Sequence, residues 1–320
     1  MCGIMGYYCF GDNRPNINNL KTSLIELEER GDHGTGVAYK STDGSKIIIF
    51  KTGLEAKEAF KNNDFNKRWE DFGNARPKTA IFHTRKASVR YATNKDDNDS
   101  HPFYNDKYVV IHNGQIFGIS DMCKKYGIAE PRVDSSILPH ILSEHSPETS
   151  ITAFSTMLNS VWADFSIAFI IKNVDGLFLA TNTKRPLELI LDKTNNILYF
   201  ASLSKYLDNI VLGIEKVEQA FGGVTFRRNM YTANVDYFIH TCNENSLFMC
   251  TAEGMTSSTF TGYEFKSSSS NNAGFSSRYA STNSNRSYTA TNKESNDDMF
   301  FKNSDMGNRF AAFLEELDAA

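Results

Sequence analysis

Short apolar runs recur along the first 250 residues and predict a series of β-strands. Their alternating or continuous hydrophobic positions, rich in Val, Ile, Phe and Tyr, are typical of partly or fully buried strands. The predicted strands cover residues 3–8, 36–39, 46–51, 79–83, 108–112, 165–171, 177–181, 187–191 and 197–201.

Apolar positions with helical spacing appear at residues 17–29, 135–144 and 147–158. The predicted strands follow one another in pairs, and the helices come in blocks. This order favours antiparallel sheets covered by helices over a strictly alternating parallel βαβ fold. We therefore predict an α+β fold for a single domain that spans residues 1–250.

The composition changes after residue 250. Residues 256–298 are dominated by Ser, Asn, Thr and Gly, with too few aliphatic side chains to offset the entropy cost of ordering the chain. We predict a flexible, disordered tail at 251–298. Residues 299–320 regain helical apolar spacing through Phe310, Phe313, Leu314 and Leu317, which predicts a short amphipathic helix. That helix either packs on its own domain or docks onto a partner protein.

Charge and cysteine content narrow the class of protein. Among 320 residues, 34 Lys and Arg face 38 Asp and Glu, so the formal net charge is -4 and nucleic acid is not an expected partner. No apolar stretch approaches the ~20 residues that span a membrane, and the first residues lack a signal-peptide pattern. We expect a soluble, cytoplasmic protein. The 5 cysteines are scattered without a Cys-x-x-Cys pair, so no disulfide framework, metal or cofactor is expected.

The amino terminus carries candidate chemistry. Cys2 and Gly3 are small residues that favour removal of Met1, which would leave a thiol and a free α-amine on the same residue. An α-amine has a reference pKa of about 7.7–8.0 and serves as a general base for such a thiol. On this evidence alone, an incidental cysteine at position 2 remains the alternative.

Three further positions complete a possible amino-acid pocket. Asn113 and Gly114 follow an apolar run and form either a type I′ hairpin turn or an oxyanion hole. Arg85 is either a solvated side chain or a fork for a carboxylate. Asp134 either caps the following helix or holds an ammonium group. Taken together with the Cys2 thiol, these groups fit an α-amino acid with a side-chain carbonyl, and glutamine has that structure.

Several ordered blocks resemble the class II glutamine amidotransferase domain, whose members are N-terminal nucleophile hydrolases. Residues 112–116 resemble the His-Asn-Gly-x-Ile block of that family, and residues 30–36 are similar to its Arg-Gly-x-Asp-Ser-x-Gly loop. The resemblance covers about residues 2–204, with weaker support to 250. The other matching blocks are residues 1–6, 83–88, 100–103 and 133–136.

The resemblance implies a four-layer αββα sandwich and assigns roles to individual residues. Cys2 would be the nucleophile with its own amine as base, and Asn113 and Gly114 would form the oxyanion hole. Departures stand at His33, where the family has Asp, and at Lys86, where it has a bulky aromatic residue. The remaining roles would fall to Arg85 for the glutamine carboxylate, Asp134 for its ammonium, Arg30 for bracing Cys2, and Ser88 and His101 for lining the glutamine pocket, with core packing as the alternative for His101.

The implied activity is hydrolysis of L-glutamine to glutamate and ammonia. Since no Walker-type phosphate loop is present, the ammonia acceptor is expected to be a separate synthase, which the C-terminal helix could dock, or else water. Two alternatives stay open. One is an N-terminal nucleophile amidohydrolase that acts on another amide, and the other is a non-catalytic scaffold that retains the fold.

Overall fold

The computed structural model describes residues 1–87, 96–145, 150–182, 184–210, 214–215, 220–221, 224–229, 237–242 and 244–263. Within these ranges the strands form two sheets in which neighbouring strands run antiparallel. Helices cover the outer face of each sheet.

The larger sheet contains ten strands within the described ranges. The first strand of the chain, β1 (Gly3–Cys9), lies near the centre of this sheet. The order across this sheet is β11 (Ile214–Glu215), β13 (Val224–Asn229), β14 (Tyr237–Thr241), β9 (Glu188–Asp192), β10 (Ile197–Ala201), β1 (Gly3–Cys9), β4 (Thr79–Thr84), β2 (Thr35–Lys40) and β3 (Ile47–Thr52), with β12 (Ala220–Phe221) paired to β13.

The smaller sheet contains six strands in the part of the chain that the structure describes. Its long central strands β6 and β7 pair along nine residues each. The order is β16 (Gly254–Thr259), β15 (Ser246–Thr251), β8 (Gly176–Thr181), β7 (Ala163–Ile171), β6 (Tyr108–Ile116) and β5 (Phe103–Tyr104).

The described helices are α1 (Ile17–Leu27), α2 (Ala56–Ala59), α3 (Asn63–Ala75), α4 (Ile119–Tyr126), α5 (Leu138–His145) and α6 (Ile151–Ser160). The side chain of Asn62 accepts hydrogen bonds from the first amides of α3 and caps it. Phe65, Trp69 and Phe72 recur at helical spacing and form the buried face of α3. None of the described helices is long and apolar enough to cross a membrane.

Three hydrophobic clusters separate four layers. In β1, Ile4 and Tyr8 face the smaller sheet, whereas Met5 and Tyr7 face the helices, as the two-residue period of a strand requires. A third cluster packs α5 and α6 against the outer face of the smaller sheet. The predicted αββα sandwich is therefore confirmed.

The structure extends the predicted elements and corrects one boundary. Each strand predicted from the sequence is present, with ends that differ by a few residues. The structure adds elements that the sequence did not predict, namely α2, α3, α4, β5 and β11 to β16. The ordered strands continue beyond the predicted boundary at residue 250. Strand β16 lies inside the predicted tail, pairs with β15 along six residues and buries the Met255 side chain. The predicted helix at 299–320 lies outside the described residues.

Candidate active site

Cys2 directly precedes β1 and is held by backbone contacts on two sides. The Arg30 Nε donates to the Cys2 carbonyl oxygen at 3.0 Å. The backbone N–H of Lys86 donates to the Cys2 Sγ at 3.3 Å. Burial raises the pKa of the Cys2 thiol, although the Lys86 amide, the Met1 amine and Arg85 oppose that shift. A thiol with a raised pKa needs a base before it attacks a carbonyl.

Gly3 fixes how closely Cys2 approaches the rest of the domain. A Cβ atom at Gly3 would lie 2.6 Å from both Leu27 Cγ and Thr84 Oγ1. Thr84 is also the partner of Gly3 across β1 and β4, and its hydroxyl donates to the Leu27 carbonyl at 2.9 Å. Only glycine leaves room for the end of α1 to pack here, so Cys2 adjoins a closely packed part of the domain.

The Asn113-Gly114 pair does not form a hairpin turn. Strand β6 continues through it to Ile116, with Asn113 opposite Ser166 and Gly114 opposite Phe165 on β7. Strand alternation places Asn113 on the same face as Ile111, toward the larger sheet. A Cβ atom at Gly114 would overlap the Asp164 carbonyl oxygen, so this position also requires glycine.

Asn113 is 1% exposed, yet its side-chain nitrogen Nδ2 has no hydrogen-bond partner within the described residues. A buried donor left unmatched costs about 1–3 kcal/mol. The cost disappears when an acceptor enters the site. An oxygen that develops negative charge would be such an acceptor.

A histidine connects the strand that carries Asn113 to the sheet that carries Cys2. The Nε2 atom of His83 lies 3.0 Å from the carbonyl oxygen of His112, the residue before Asn113. His83 itself stands opposite Ile4 in the pairing of β4 with β1. The two sheets are therefore joined by a polar contact next to the candidate site.

His101 lies in a stack of aromatic rings. Its ring centroid is 3.8 Å from that of His83 and 4.5 Å from that of Phe103, and only 2% of the residue is exposed. Burial lowers the pKa of His83 to about 3 and also lowers the pKa of His101. Both rings are therefore neutral. Both roles considered for His101, pocket residue and core packing, stay predictions.

Arg85 follows β4 and is 4% exposed. Its Nη2 atom lies 3.7 Å from the Asp99 carboxylate. Its backbone is tied to the preceding loop, because the Arg85 amide donates to the Gly34 carbonyl and the His33 amide donates to the Arg85 carbonyl, each at 2.8 Å. Burial lowers the pKa of Arg85, and the Asp99 charge opposes this shift.

Asp134 does not cap a helix. The residue that precedes the short 3₁₀ turn Asp134–Ile137 is Val133, and the Asp134 side chain accepts instead from the Ile116 amide of β6 at 2.8 Å. The Ser135 hydroxyl lies 2.7 Å from the His112 Nδ1 atom. This arrangement holds a carboxylate against the end of the strand that carries Asn113.

The structure brings Arg30, Arg85 and Asp134 near Cys2. Both Asp134 and Arg85 act electrostatically on the Cys2 thiol, Asp134 raising its pKa and Arg85 lowering it. Ser88 lies outside the described residues. Sequence reasoning missed Asp99, whose signal was the acidic run at residues 96–99 immediately before His101.

The described residues contain no group of three or more side chains able to hold a metal ion. A cleft of about 370 Å³ opens near the N-terminal end of α1 and the C-terminal end of α3, where Tyr7, Arg14 and Arg76 line it. None of the sequence-predicted site residues contributes to that cleft.

Comparison with curated proteins gives relatives of two kinds. The 7-cyano-7-deazaguanine synthase of Sulfolobus acidocaldarius is 30% identical over 216 residues, which is 65% of this chain and 44% of that protein. The isomerizing glutamine–fructose-6-phosphate aminotransferase of Thermotoga maritima is 27% identical over 201 residues, which is 58% of this chain and 29% of that protein. The chain thus spans less than half the length of either relative. No family model matches the sequence.

Solved structures share the fold at low sequence identity. The glutamine phosphoribosylpyrophosphate amidotransferase of B. subtilis superposes with a TM-score of 0.60 at 17% identity, covering 81% of this chain and 49% of that one. An allosteric regulatory enzyme of purine biosynthesis gives a TM-score of 0.61 with the same coverage and identity. The sequence relatives and the shared fold together support a class II glutamine amidotransferase domain of the N-terminal nucleophile type.

Proposed function

We propose that this domain hydrolyses the side-chain amide of L-glutamine to glutamate and ammonia, with Cys2 as the nucleophile. After removal of Met1, the α-amine of Cys2 takes the thiol proton while Sγ attacks the amide carbon. The carbon–nitrogen bond then breaks, and the proton held by the amine leaves with ammonia. Water hydrolyses the resulting thioester and regenerates the thiol.

The unmatched side-chain donor of Asn113 carries this proposal. A buried amide nitrogen that has no partner among the described residues, next to a glycine and on the face toward the larger sheet, is suited to the oxyanion of a tetrahedral intermediate. The backbone amide of Gly114 is proposed as the second donor. The raised pKa of the Cys2 thiol supports the need for a base on the same residue.

The proposed substrate contacts follow the charges around Cys2. Arg85 would bind the glutamine carboxylate, and Asp134 would bind its ammonium group. Arg30 would keep the Cys2 backbone in place through the bond to its carbonyl oxygen. His101 and Ser88 are proposed pocket residues by resemblance alone.

The ammonia is proposed to reach a synthase. The curated relatives are longer proteins whose names describe a synthase and an aminotransferase, and their similarity to this chain covers less than half of each. A separate nitrogen-accepting enzyme would complete the reaction for this domain. Glutamine-dependent product formation by a mixture of this protein with an ammonia-dependent 7-cyano-7-deazaguanine synthase tests that step. A product that forms only with added ammonium salts would rule out such delivery.

Glutaminase assays with Cys2→Ala test the core of the proposal. Loss of glutamate formation with an unchanged circular dichroism spectrum is expected, because alanine fits the site and lacks the thiol. A diazoketone analogue of glutamine should label Cys2 in the native protein, as intact mass and peptide mapping would show. Cys123→Ala is the matched control, since Cys123 is buried on α4 and should not affect labelling. Glutamate formation by Cys2→Ala would disprove the nucleophile assignment.

A further inference from the structure

Asp99 bridges two arginines beside the candidate site. Its Oδ2 atom lies 2.7 Å from the Nη2 of Arg132, within hydrogen-bond distance, and 3.7 Å from the Nη2 of Arg85, which is longer than a hydrogen bond. The side chains of Arg85 and Asp99 are 4% and 7% exposed, whereas that of Arg132 is 53% exposed. A buried carboxylate thus sits between a buried guanidinium and a surface one.

The two arginines share Asp99 unequally. Arg132 donates the shorter contact and also lies 3.6 Å from the Asp96 carboxylate through its Nη1 atom. A carboxylate that already accepts from Arg132 competes less strongly for the Arg85 guanidinium. Without Arg132, Asp99 loses a cationic partner at 2.7 Å, so its buried carboxylate should attract the Arg85 guanidinium more strongly.

Arg132 also lies two residues before Asp134, so one short segment carries both groups. The Asp99–Arg132 contact joins this segment to the 3₁₀ turn Asp97–Asp99, which lies next to Arg85. The contact therefore ties Arg132 to the turn that lies beside Arg85.

We propose that Arg132 is a positioning residue that acts through Asp99 to set the position of Arg85 for the carboxylate of the substrate. This inference rests on the proposed function, in which Arg85 binds that carboxylate. Arg132 touches no reacting atom in this scheme. Its contribution is to affinity for amides that carry a carboxylate, so KM should change and kcat should not.

Three amides distinguish this role from a general structural one. Glutamine carries both the carboxylate and the ammonium, glutaramate lacks the ammonium, and γ-aminobutyramide lacks the carboxylate. In Arg132→Met, KM for glutamine and for glutaramate should rise roughly tenfold, with kcat changed by less than about threefold. KM for γ-aminobutyramide should stay the same, because that amide makes no use of Arg85.

A second variant tests the route through Asp99. Adding Asp99→Asn to Arg132→Met removes the charge that competes for Arg85 and should return KM for glutamine to within about threefold of the native value. Arg68→Met is the matched control, because Arg68 is 50% exposed and is paired with Asp64 on α3. It should leave all kinetic constants unchanged.

The outcomes separate the two proposals. If native protein does not hydrolyse glutamine, the proposed function fails. If native protein hydrolyses glutamine but Arg132→Met raises KM equally for all three amides, or leaves every KM unchanged, only the positioning role is overturned. Failure of Asp99→Asn to restore affinity in the double variant would also overturn it.

Discussion

The Lys86 ammonium donates to the Asp32 carboxylate at 2.7 Å, while the backbone amide of the same lysine donates to the Cys2 thiol. The carboxylate oxygen that accepts from Lys86 also lies 3.1 Å from the Nδ1 of His33. The two positions that depart from the family pattern, His33 and Lys86, therefore meet at Asp32. The hydrogen bond from Lys86 lowers the pKa of Asp32, which keeps it ionised at neutral pH.

Replacement of Asp32 by Asn tests whether this ion pair aligns the amide that faces the nucleophile. Both side chains are nearly half exposed, so the free energy of unfolding should change by less than about 1 kcal/mol. The Lys86 amide would lose its fixed position, and alkylation of Cys2 should slow about fivefold, equivalent to ~1 kcal/mol. The measurement is the alkylation rate between neutral and alkaline pH.

Glu58→Gln provides the control for Asp32→Asn. It breaks another exposed ion pair, between the Lys61 Nζ and the Glu58 Oε1 atoms 2.6 Å apart, and leaves the loop near Cys2 unchanged. Equal alkylation rates in the two variants would show that the Lys86–Asp32 pair does not influence the nucleophile.

The sequence predicts the framework of this fold because the framework depends on short-range patterns. The alternation at Ile4, Met5, Tyr7 and Tyr8 specifies a strand buried on both faces, and this is the position that β1 occupies. Helix α3 escaped prediction because most of its residues are polar. The buried face of α3 consists of only three aromatic side chains, Phe65, Trp69 and Phe72.

The candidate site is predictable only in part. Asn113 shows why, because an Asn-Gly pair after an apolar run usually forms a turn. Here the pairing of β6 with β7 along nine residues keeps the Asn113-Gly114 backbone extended. Asp99 illustrates another limit, because its role depends on Arg85 and Arg132, which are brought together by tertiary packing. Residues that act through such contacts leave no local signal.

Replacement of Asn113 by Ala should separate catalysis from stability. Loss of an oxyanion donor should lower kcat by roughly 10²–10³, or about 2.7–4 kcal/mol, with little change in KM. The free energy of unfolding should not fall, because the Nδ2 atom makes no hydrogen bond within the described residues and its removal takes away an unmatched buried donor. Steady-state glutaminase kinetics and urea unfolding measure the two quantities. A large rise in KM with kcat preserved would instead assign Asn113 to ground-state binding.

The buried histidines should make the protein acid-sensitive. Burial lowers the pKa of His83 to about 3 and lowers those of His101 and His112, whereas each would titrate near about 6.5 when unfolded. The unfolded chain therefore binds more protons as pH falls below about 6.5, and the folded state loses stability. Each histidine contributes up to about 1.4 kcal/mol per pH unit.

Urea unfolding between about pH 6.5 and pH 5 measures the slope of the free energy of unfolding against pH. In His101→Phe the slope should decrease by one histidine's share, about 1.4 kcal/mol per pH unit. His140→Gln is the control, because His140 is exposed, and it should leave the slope unchanged. A native slope no steeper than that of His101→Phe would contradict a neutral, buried His101.

Strand β16 should be required for both stability and turnover. Met255 and Phe260 are 5% and 7% exposed, and the Phe260 ring stacks on Phe165, which stands opposite Gly114 in the pairing of β6 with β7. A chain that ends before Gly254 loses both apolar side chains and should be at least about 3 kcal/mol less stable. Its glutaminase activity should fall as well, because the Phe260 ring no longer packs on Phe165, beside the part of β6 that carries Asn113 and Gly114. A chain that ends at Tyr263 retains these contacts and should match the full-length protein in Tm and in basal activity. If the shorter chain were equally stable and active, the domain would end near residue 250, as composition alone predicts.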